Sequence, residues 1–214
     1  MHSCDFTTRL SQDRLAAIVR GRSADAALRT VLTLLEEGVH LIEVSLNTDD
    51  ACRVIAAAAR EAPPDAFIGA GTVVTRDDLL RAQDAGATWV VTPGGTDAVL
   101  AAVQQGLPVL AGALTPTEAA AAMALGATAV KLFPASLGGP AYLRALKDPF
   151  PSLPIVPVGG VDADIAADYF AAGAVAVGVG SPLVGDAAHG GDLTQLRRRA
   201  RRFRSVCRRE EPHT

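Results

Sequence analysis

Lys131 is the clearest candidate for chemistry in this sequence, because it lies inside a short apolar run. The run, AVKLF, spans residues 129–133 and ends at Pro134. Side chains alternate between the two faces of a strand, so either the lysine or its neighbours must point into a packed interior. A buried amine can belong to an ion pair, or it can be a desolvated nucleophile that attacks a carbonyl to form a Schiff base. The run alone leaves both interpretations open.

Candidate binding residues follow other apolar runs. Arg20 comes directly after the run at residues 15–19, where its guanidinium can hold a carboxylate through two hydrogen bonds. A solvated arginine at a strand end is the alternative. Thr72 follows the GAG of residues 69–71, whose glycines allow a ligand to approach closely. Further residues that end or follow such runs, and can line a pocket, are Pro93, Thr115 and Phe133.

Two glycine turns late in the chain indicate a phosphate site. Gly159 and Gly160 follow one apolar run, and Gly180 and Ser181 follow the next. Backbone N–H groups in turns at these places bind phosphate in many barrels. Glycine pairs also serve as simple turns, and this alternative stays open. We expect a phosphorylated small-molecule substrate.

The elements that must position these residues recur along the chain. A helical segment is followed by a glycine suited to a left-handed C-cap, and then by a short apolar run. The runs are residues 15–19, 41–44, 66–69, 89–92, 108–111, 129–132, 155–158 and 175–178. Parallel strands joined by right-handed helical crossovers predict an α/β fold, a (β/α)8 TIM barrel. An open, doubly wound sheet is the alternative, but no GxGxxG follows the first run.

Glu43 becomes a candidate once the strands are numbered. It lies on the second strand and Lys131 on the sixth, and these strands are opposite each other in a ring of eight. Even-numbered strands fill the same layers of a barrel interior, so the two side chains can converge at the axis. A purely structural ion pair is the alternative, although desolvation makes such a pair a poor stabiliser. We therefore expect the carboxylate and the amine to form a catalytic pair.

Composition and charge exclude several classes of function. With 214 residues, 49% of them hydrophobic, a single barrel domain over residues 1–214 can bury a large core. A net charge of −3 gives no field to attract nucleic acid or an anionic membrane. No apolar stretch has the length of a membrane span, and three scattered cysteines fit a reducing cytoplasm. The four histidines show no ligand spacing, so neither a metal nor another cofactor is expected.

The C-terminal segment carries many arginines. Residues 193–209 are predicted to form a basic helix, because apolar residues recur there at three- and four-residue spacing. We interpret the arginines as the solvated outer face of this helix, with a surface for nucleic acid as the alternative. Residues 210–214 are predicted to be disordered.

Four motifs give the chain a resemblance to a known family. They are EVSL at 43–46, GAGTV at 69–73, TPG at 92–94 and VKLFPA at 130–135. In order and spacing they resemble the class I 2-keto-3-deoxy-6-phosphogluconate (KDPG) aldolases. That family includes the 6-phosphogalactonate (KDPGal) and 4-hydroxy-2-oxoglutarate (KHG) aldolases. The resemblance implies a (β/α)8 barrel, commonly a homotrimer, that cleaves a keto acid to pyruvate and an aldehyde without a metal.

The resemblance also implies a role for each candidate residue. Lys131 matches the Schiff-base lysine, and Glu43 matches the general acid/base glutamate. Arg20 and Thr72 match residues that hold the pyruvate carboxylate. The residues that match pocket-lining or phosphate-binding positions are Pro93, Thr115, Phe133, Gly159, Gly160, Gly180 and Ser181.

Asn47 departs from the gluconate-type pattern. Enzymes of that type often carry arginine there, whereas asparagine is similar to the galactonate type. The resemblance implies cleavage of KDPG to pyruvate and glyceraldehyde 3-phosphate, with KHG as a possible second substrate and KDPGal as the alternative. Two alternatives of other classes are a phosphosugar isomerase or synthase barrel without a Schiff base, and a non-catalytic binding protein.

Overall fold

A computed structural model describes residues 2–208, with side chains described from residue 6 onward. The strands are β1 (Leu15–Val19), β2 (Leu41–Ser45), β3 (Phe67–Gly71), β4 (Val90–Val91), β5 (Val109–Ala113), β6 (Ala129–Leu132), β7 (Ile155–Pro157) and β8 (Val177–Val179). The helices are α1 (His2–Asp13), α2 (Ala24–Glu36), α3 (Ala51–Glu61), α4 (Arg76–Asp84), α5 (Asp97–Gln104), α6 (Pro116–Ala124), α7 (Gly139–Lys147), α8 (Ala166–Ala171), α9 (Ser181–Val184) and α10 (Leu193–Cys207). A 3₁₀ turn, Ala187–His189, precedes α10.

The strands form one parallel sheet that curls into a barrel. Their order is β7-β6-β5-β4-β3-β2-β1-β8, so each strand lies beside its neighbour in sequence. A parallel bridge between Val158 and Gly178 joins the two ends. The N–H of Val175 also donates to the carbonyl of Ile155 at 3.0 Å. The (β/α)8 barrel predicted from the sequence is confirmed.

The apolar residues divide into a layer between strands and helices and a smaller cluster inside the barrel. Val130 and Leu132 belong to the outer layer, whereas Leu41 and Ala129 belong to the inner cluster. Residues two positions apart on a strand share a face. Glu43 and Lys131 therefore face into the barrel, directly above its apolar floor.

Helix α1 was not predicted from the sequence. Phe6 and Leu10 from this helix are buried in the inner cluster, at the N-terminal end of the barrel. The Phe6 ring lies 5.1 Å from the ring of Trp89 and 5.6 Å from that of Phe67. Phe6 and Leu10 give only a weak helical signal in the sequence, and the open end of the barrel gives them a place to pack.

Helix α10 packs along the outside of the barrel, and several of its arginines contact other residues of the same chain. Arg197 and Arg201 contact the carboxylate of Glu37, and Arg204 donates to the Glu37 carbonyl at 2.8 Å. These contacts engage the three arginines within the chain, while the Arg201 side chain stays 70% exposed, as expected of a solvated outer face. The disorder predicted for residues 210–214 lies outside the described residues. Within residues 2–208, no helix is long and apolar enough to cross a membrane.

Candidate active site

A cavity of about 610 Å³ opens where the strands of the barrel end. It receives side chains or backbone from the segments that follow seven of the eight strands, all except β5. The predicted site residues that line it are Arg20, Glu43, Asn47, Thr72, Pro93, Lys131, Phe133, Gly159, Gly160, Gly180 and Ser181.

Lys131 lies at the base of this cavity. Its side chain is buried, with 7% of the residue surface exposed. The Nζ atom lies 5.0 Å from the centre of the Phe133 ring. Among residues 6–208, no carboxylate oxygen lies within the 4.0 Å of an ion pair with this amine, which argues against a purely structural salt bridge. The amine is left available to a ligand in the cavity.

Glu43 is buried on β2, with 3% of its surface exposed. Burial raises the pKa of its carboxyl above the ordinary value, because desolvation outweighs the opposing attraction of Lys131 and Arg20. A carboxyl with a raised pKa holds its proton more tightly than an ordinary carboxyl, so it is better suited to exchange a proton with a substrate. Its environment therefore suits general acid/base work.

The glycines of β3 make room for protein side chains. A Cβ at Gly71 would lie 2.1 Å from Oε1 of Glu43, and one at Gly69 would lie 2.5 Å from the Trp89 ring. The sequence interpretation, that these glycines admit a ligand, is therefore corrected. They allow an inward carboxylate and an inward indole to fit beside β3.

Thr72 stands in a strained conformation at the end of β3. Its φ of 61° lies in the left-handed region, which is unfavourable for a β-branched residue. Such strain is concentrated at functional sites. The hydroxyl of Thr72 and the side chain of Arg20 both border the cavity.

The two glycine turns both line the cavity. Gly159 and Gly160 have φ values of 89° and 78°, which only glycine adopts readily. Gly180 and Ser181 enter α9, whose far end is held by Arg199. The Arg199 guanidinium donates to the carbonyls of Leu183 and Val184 at 2.7 and 2.9 Å.

Thr115 does not line the cavity, so its assignment to the pocket is wrong. It is the N-cap of α6, where its hydroxyl accepts from the N–H of Glu118 at 3.3 Å. The hydroxyl also donates to the Glu118 carboxylate at 3.0 Å. The TPTE sequence at residues 115–118 is a capping-box signal, and local capping engages this side chain.

Sequence reasoning missed several residues of the cavity. Arg22 and His189 are the charged or titratable ones, and the N–H of Arg22 lies 3.3 Å from Nδ1 of His189. Arg22 lies two residues after Arg20 in the segment that follows β1, and this place in the sequence could have indicated that it lines the cavity. His189 comes from a distant 3₁₀ turn and carries no such signal. In the described part of the chain, no group of three or more His, Cys, Asp or Glu could hold a metal ion.

A model of the family described as KDPG and KHG aldolase matches residues 6–198 of the chain. The chain belongs to the KDPG and KHG aldolase family. A probable 2-dehydro-3-deoxy-6-phosphogalactonate aldolase from Rhizobium meliloti (strain 1021) is 40% identical over 183 residues, 85% of this chain and 86% of the relative. The KHG/KDPG aldolase of Escherichia coli (strain K12) is 33% identical over 195 residues, 90% of this chain and 91% of the relative.

A solved structure supports the same assignment. It is KDPG aldolase from Legionella pneumophila with pyruvate captured at low pH as a covalent carbinolamine intermediate. It is 25% identical, has a TM-score of 0.79, and matches 94% of this chain and 95% of its own. The resemblance found in the motifs is thus confirmed, and this member of the KDPG and KHG aldolase family is an enzyme of the lyase class.

Proposed function

We propose that the protein is a Schiff-base aldolase that cleaves KDPG to pyruvate and glyceraldehyde 3-phosphate. The observation that carries this proposal is Lys131, a buried amine without an ion-pair partner among the described residues, at the base of a cavity that it shares with the buried Glu43. The amine is within reach of a substrate carbonyl in the cavity, and the lone pair of a lysine amine is the nucleophile that forms a Schiff base.

The first steps form the covalent intermediate. Nζ of Lys131 attacks the C2 ketone of the substrate, and the resulting carbinolamine loses water to give an iminium. The Phe133 ring, 5.0 Å from Nζ, gives the cation an aromatic face. The carbinolamine captured in the Legionella enzyme supports this order of events.

Cleavage follows when a base removes the proton of the C4 hydroxyl. The C3–C4 bond breaks, its electrons move to the iminium nitrogen to give an enamine, and C4 leaves as an aldehyde. Protonation of C3 and hydrolysis then release pyruvate and the free amine. We assign the proton transfers to Glu43, because its buried carboxyl shares the cavity with Lys131 and burial raises its pKa.

The remaining lining residues would hold the two ends of the substrate. Arg20 and Thr72 offer a guanidinium and a hydroxyl to the carboxylate. The turns at residues 159–160 and 180–181 offer backbone N–H groups to the phosphate. Pro93 and Phe133 supply apolar surface between them.

Reductive trapping tests the mechanism sharply, because the chain has two lysines, Lys131 and Lys147. The protein is incubated with pyruvate and borohydride, and the intact mass and the modified peptide are measured. We expect one pyruvate adduct, at Lys131. The adduct should be lost in Lys131→Arg and kept in Lys147→Arg. Folded protein that forms no adduct, or one that forms it at Lys147, would overturn the proposal.

The stereochemistry at C4 forms a second part of the proposal. Asn47 lines the cavity where gluconate-type enzymes often carry arginine, and relatives named for either epimer match the chain. We expect both KDPG and KDPGal to be cleaved. Pyruvate release measured with each epimer should give kcat/KM values within about 100-fold, or ~2.7 kcal/mol. A larger ratio would contradict this and name the preferred epimer.

A further inference from the structure

Ser45 is a polar residue of the cavity region to which no role has been assigned. It ends β2, two positions after Glu43, and its side chain is fully buried. Its Oγ lies 2.9 Å from Oγ1 of Thr72, 3.4 Å from Nε of Arg20 and 3.4 Å from the backbone N of Asn47. One hydroxyl therefore joins three residues that line the cavity.

The hydrogens available in this cluster determine which group donates and which accepts in each hydrogen bond. A serine hydroxyl has one hydrogen to donate and two lone pairs to accept with. Nε of Arg20 and the N–H of Asn47 can only donate, so both lone pairs of Ser45 are occupied. The hydrogen of Ser45 is then left for Oγ1 of Thr72. Because Oγ1 of Thr72 accepts this hydrogen bond, the hydrogen of the Thr72 hydroxyl is not used in it and can point into the cavity.

The backbone around Thr72 makes such support necessary. Its φ of 61° is strained for a β-branched residue, so surrounding contacts must hold it. The N–H of Leu46 donates to the carbonyl of Gly71 at 2.8 Å, which joins the ends of β2 and β3. The Ser45–Thr72 hydrogen bond adds a side-chain link at the same place.

We propose that Ser45 is a positioning residue that orients the Thr72 hydroxyl and the Arg20 guanidinium as donors to the substrate carboxylate. This inference rests on the proposed function, in which these two residues hold that carboxylate. The inference adds Ser45 to this carboxylate site as a buried residue that acts on the substrate through Arg20 and Thr72.

The test compares two ketones in the borohydride trapping assay. Pyruvate carries a carboxylate, whereas pyruvamide carries a neutral amide in the same place. Ser45→Ala should raise the half-saturating pyruvate concentration about tenfold, the size of a lost charge-assisted hydrogen bond. The half-saturating pyruvamide concentration should change by less than about twofold. Thr88→Val is the control, because it deletes a hydroxyl that donates to the Ile68 carbonyl at 3.2 Å, away from the cavity lining.

A double-mutant cycle shows whether Ser45 acts through Thr72. Thr72→Val should weaken pyruvate saturation, and Ser45→Ala combined with Thr72→Val should cost less than the product of the two separate losses. Independent, multiplying losses would overturn the inference. So would equal losses for pyruvate and pyruvamide, or wild-type saturation in Ser45→Ala. Failure of the wild-type protein to trap pyruvate at all would overturn the proposed function itself, and the inference with it.

Discussion

At the scale of single residues, the site depends on a carboxyl enclosed in an apolar barrel. Glu43 lies above the inner cluster, and the space it needs exists because residue 71 has no side chain. Its raised pKa is a consequence of the same enclosure. Burial that suits proton transfer also costs stability, because an ionised carboxylate is desolvated there.

Gly71→Ala should remove activity while leaving the fold intact. The new Cβ would lie 2.1 Å from Oε1 of Glu43, and the flexible carboxylate must move away from its present position. We expect kcat for pyruvate release to fall by about 100-fold, the usual size of an acid/base contribution. Gly95→Ala is the matched control, since a Cβ there meets nothing within 4 Å. Equal kcat in the two variants would contradict the assigned position of the carboxylate.

Glu43→Gln should stabilise the protein in a pH-dependent way while it abolishes turnover. The native pKa lies above the ordinary value of 4.5, so the folded state binds this proton more tightly than the unfolded state does. The stability of the wild-type protein relative to the variant therefore falls as pH rises from 4.5 through the raised pKa.

We expect melting curves to show Glu43→Gln higher by about 2–4 °C at pH 8, with the gap closing toward pH 4.5. A gap that does not change with pH, or a wild-type protein that melts higher at pH 8, would contradict this prediction.

At the scale of elements, α10 packs on the barrel through its buried apolar residues, and two of its arginines bind the same acidic residue, Glu37, at the C-terminal end of α2. The carboxylate of Glu37 accepts from Arg201 at 2.7 and 3.1 Å and from Arg197 at 3.1 Å. Hydrogen bonds from Arg201, then from Arg197, lower the pKa of Glu37. Helix α10 also carries Arg199, which holds the end of α9 beside the cavity. The docking of α10 is therefore connected to the proposed phosphate turn.

Glu37→Gln should lower the melting temperature by about 2–4 °C at pH 7. A lowered native pKa gives stability that is present above the unfolded value of 4.5 and is lost as pH falls through the native pKa. The difference from wild type should therefore disappear in acid. Glu36→Gln is the control, because that side chain is 59% exposed and its ion pair among residues 6–208 is with Arg197. Equal losses in both variants, or an undiminished loss in acid, would refute this account of α10.

At the scale of the whole molecule, the surface keeps several large apolar side chains. Leu137 is 63% exposed, Leu100 is 45% exposed and Val74 is 42% exposed. Single apolar residues are ordinary on a surface, so these do not define an interface. The expectation of a homotrimer comes from the family resemblance, and closed rotational symmetry is the common arrangement for such enzymes.

Light scattering after size exclusion should give three times 22.0 kDa, or about 66 kDa. Measurement over a dilution series shows whether the assembly persists at the concentrations used in assays. A mass near that of one chain under those conditions would contradict the homotrimer.

The sequence by itself determined the barrel and the placement of Glu43 and Lys131 in one cavity. Both follow from local regularities: alternation on each strand, glycine C-caps, and right-handed crossovers that place the strands in order. Once the order is known, opposite strands of the ring must bring the amine and the carboxylate to one axis.

Only the tertiary structure decided which groups occupy the remaining space. Thr115 looked available in sequence, but local capping engages its hydroxyl, and Gly71 makes room for Glu43. The cluster around Ser45 joins the ends of three strands, and α1 gains its place from the open end of the barrel. Such contacts depend on distances between segments far apart in the chain, which residue types and local periodicity do not specify.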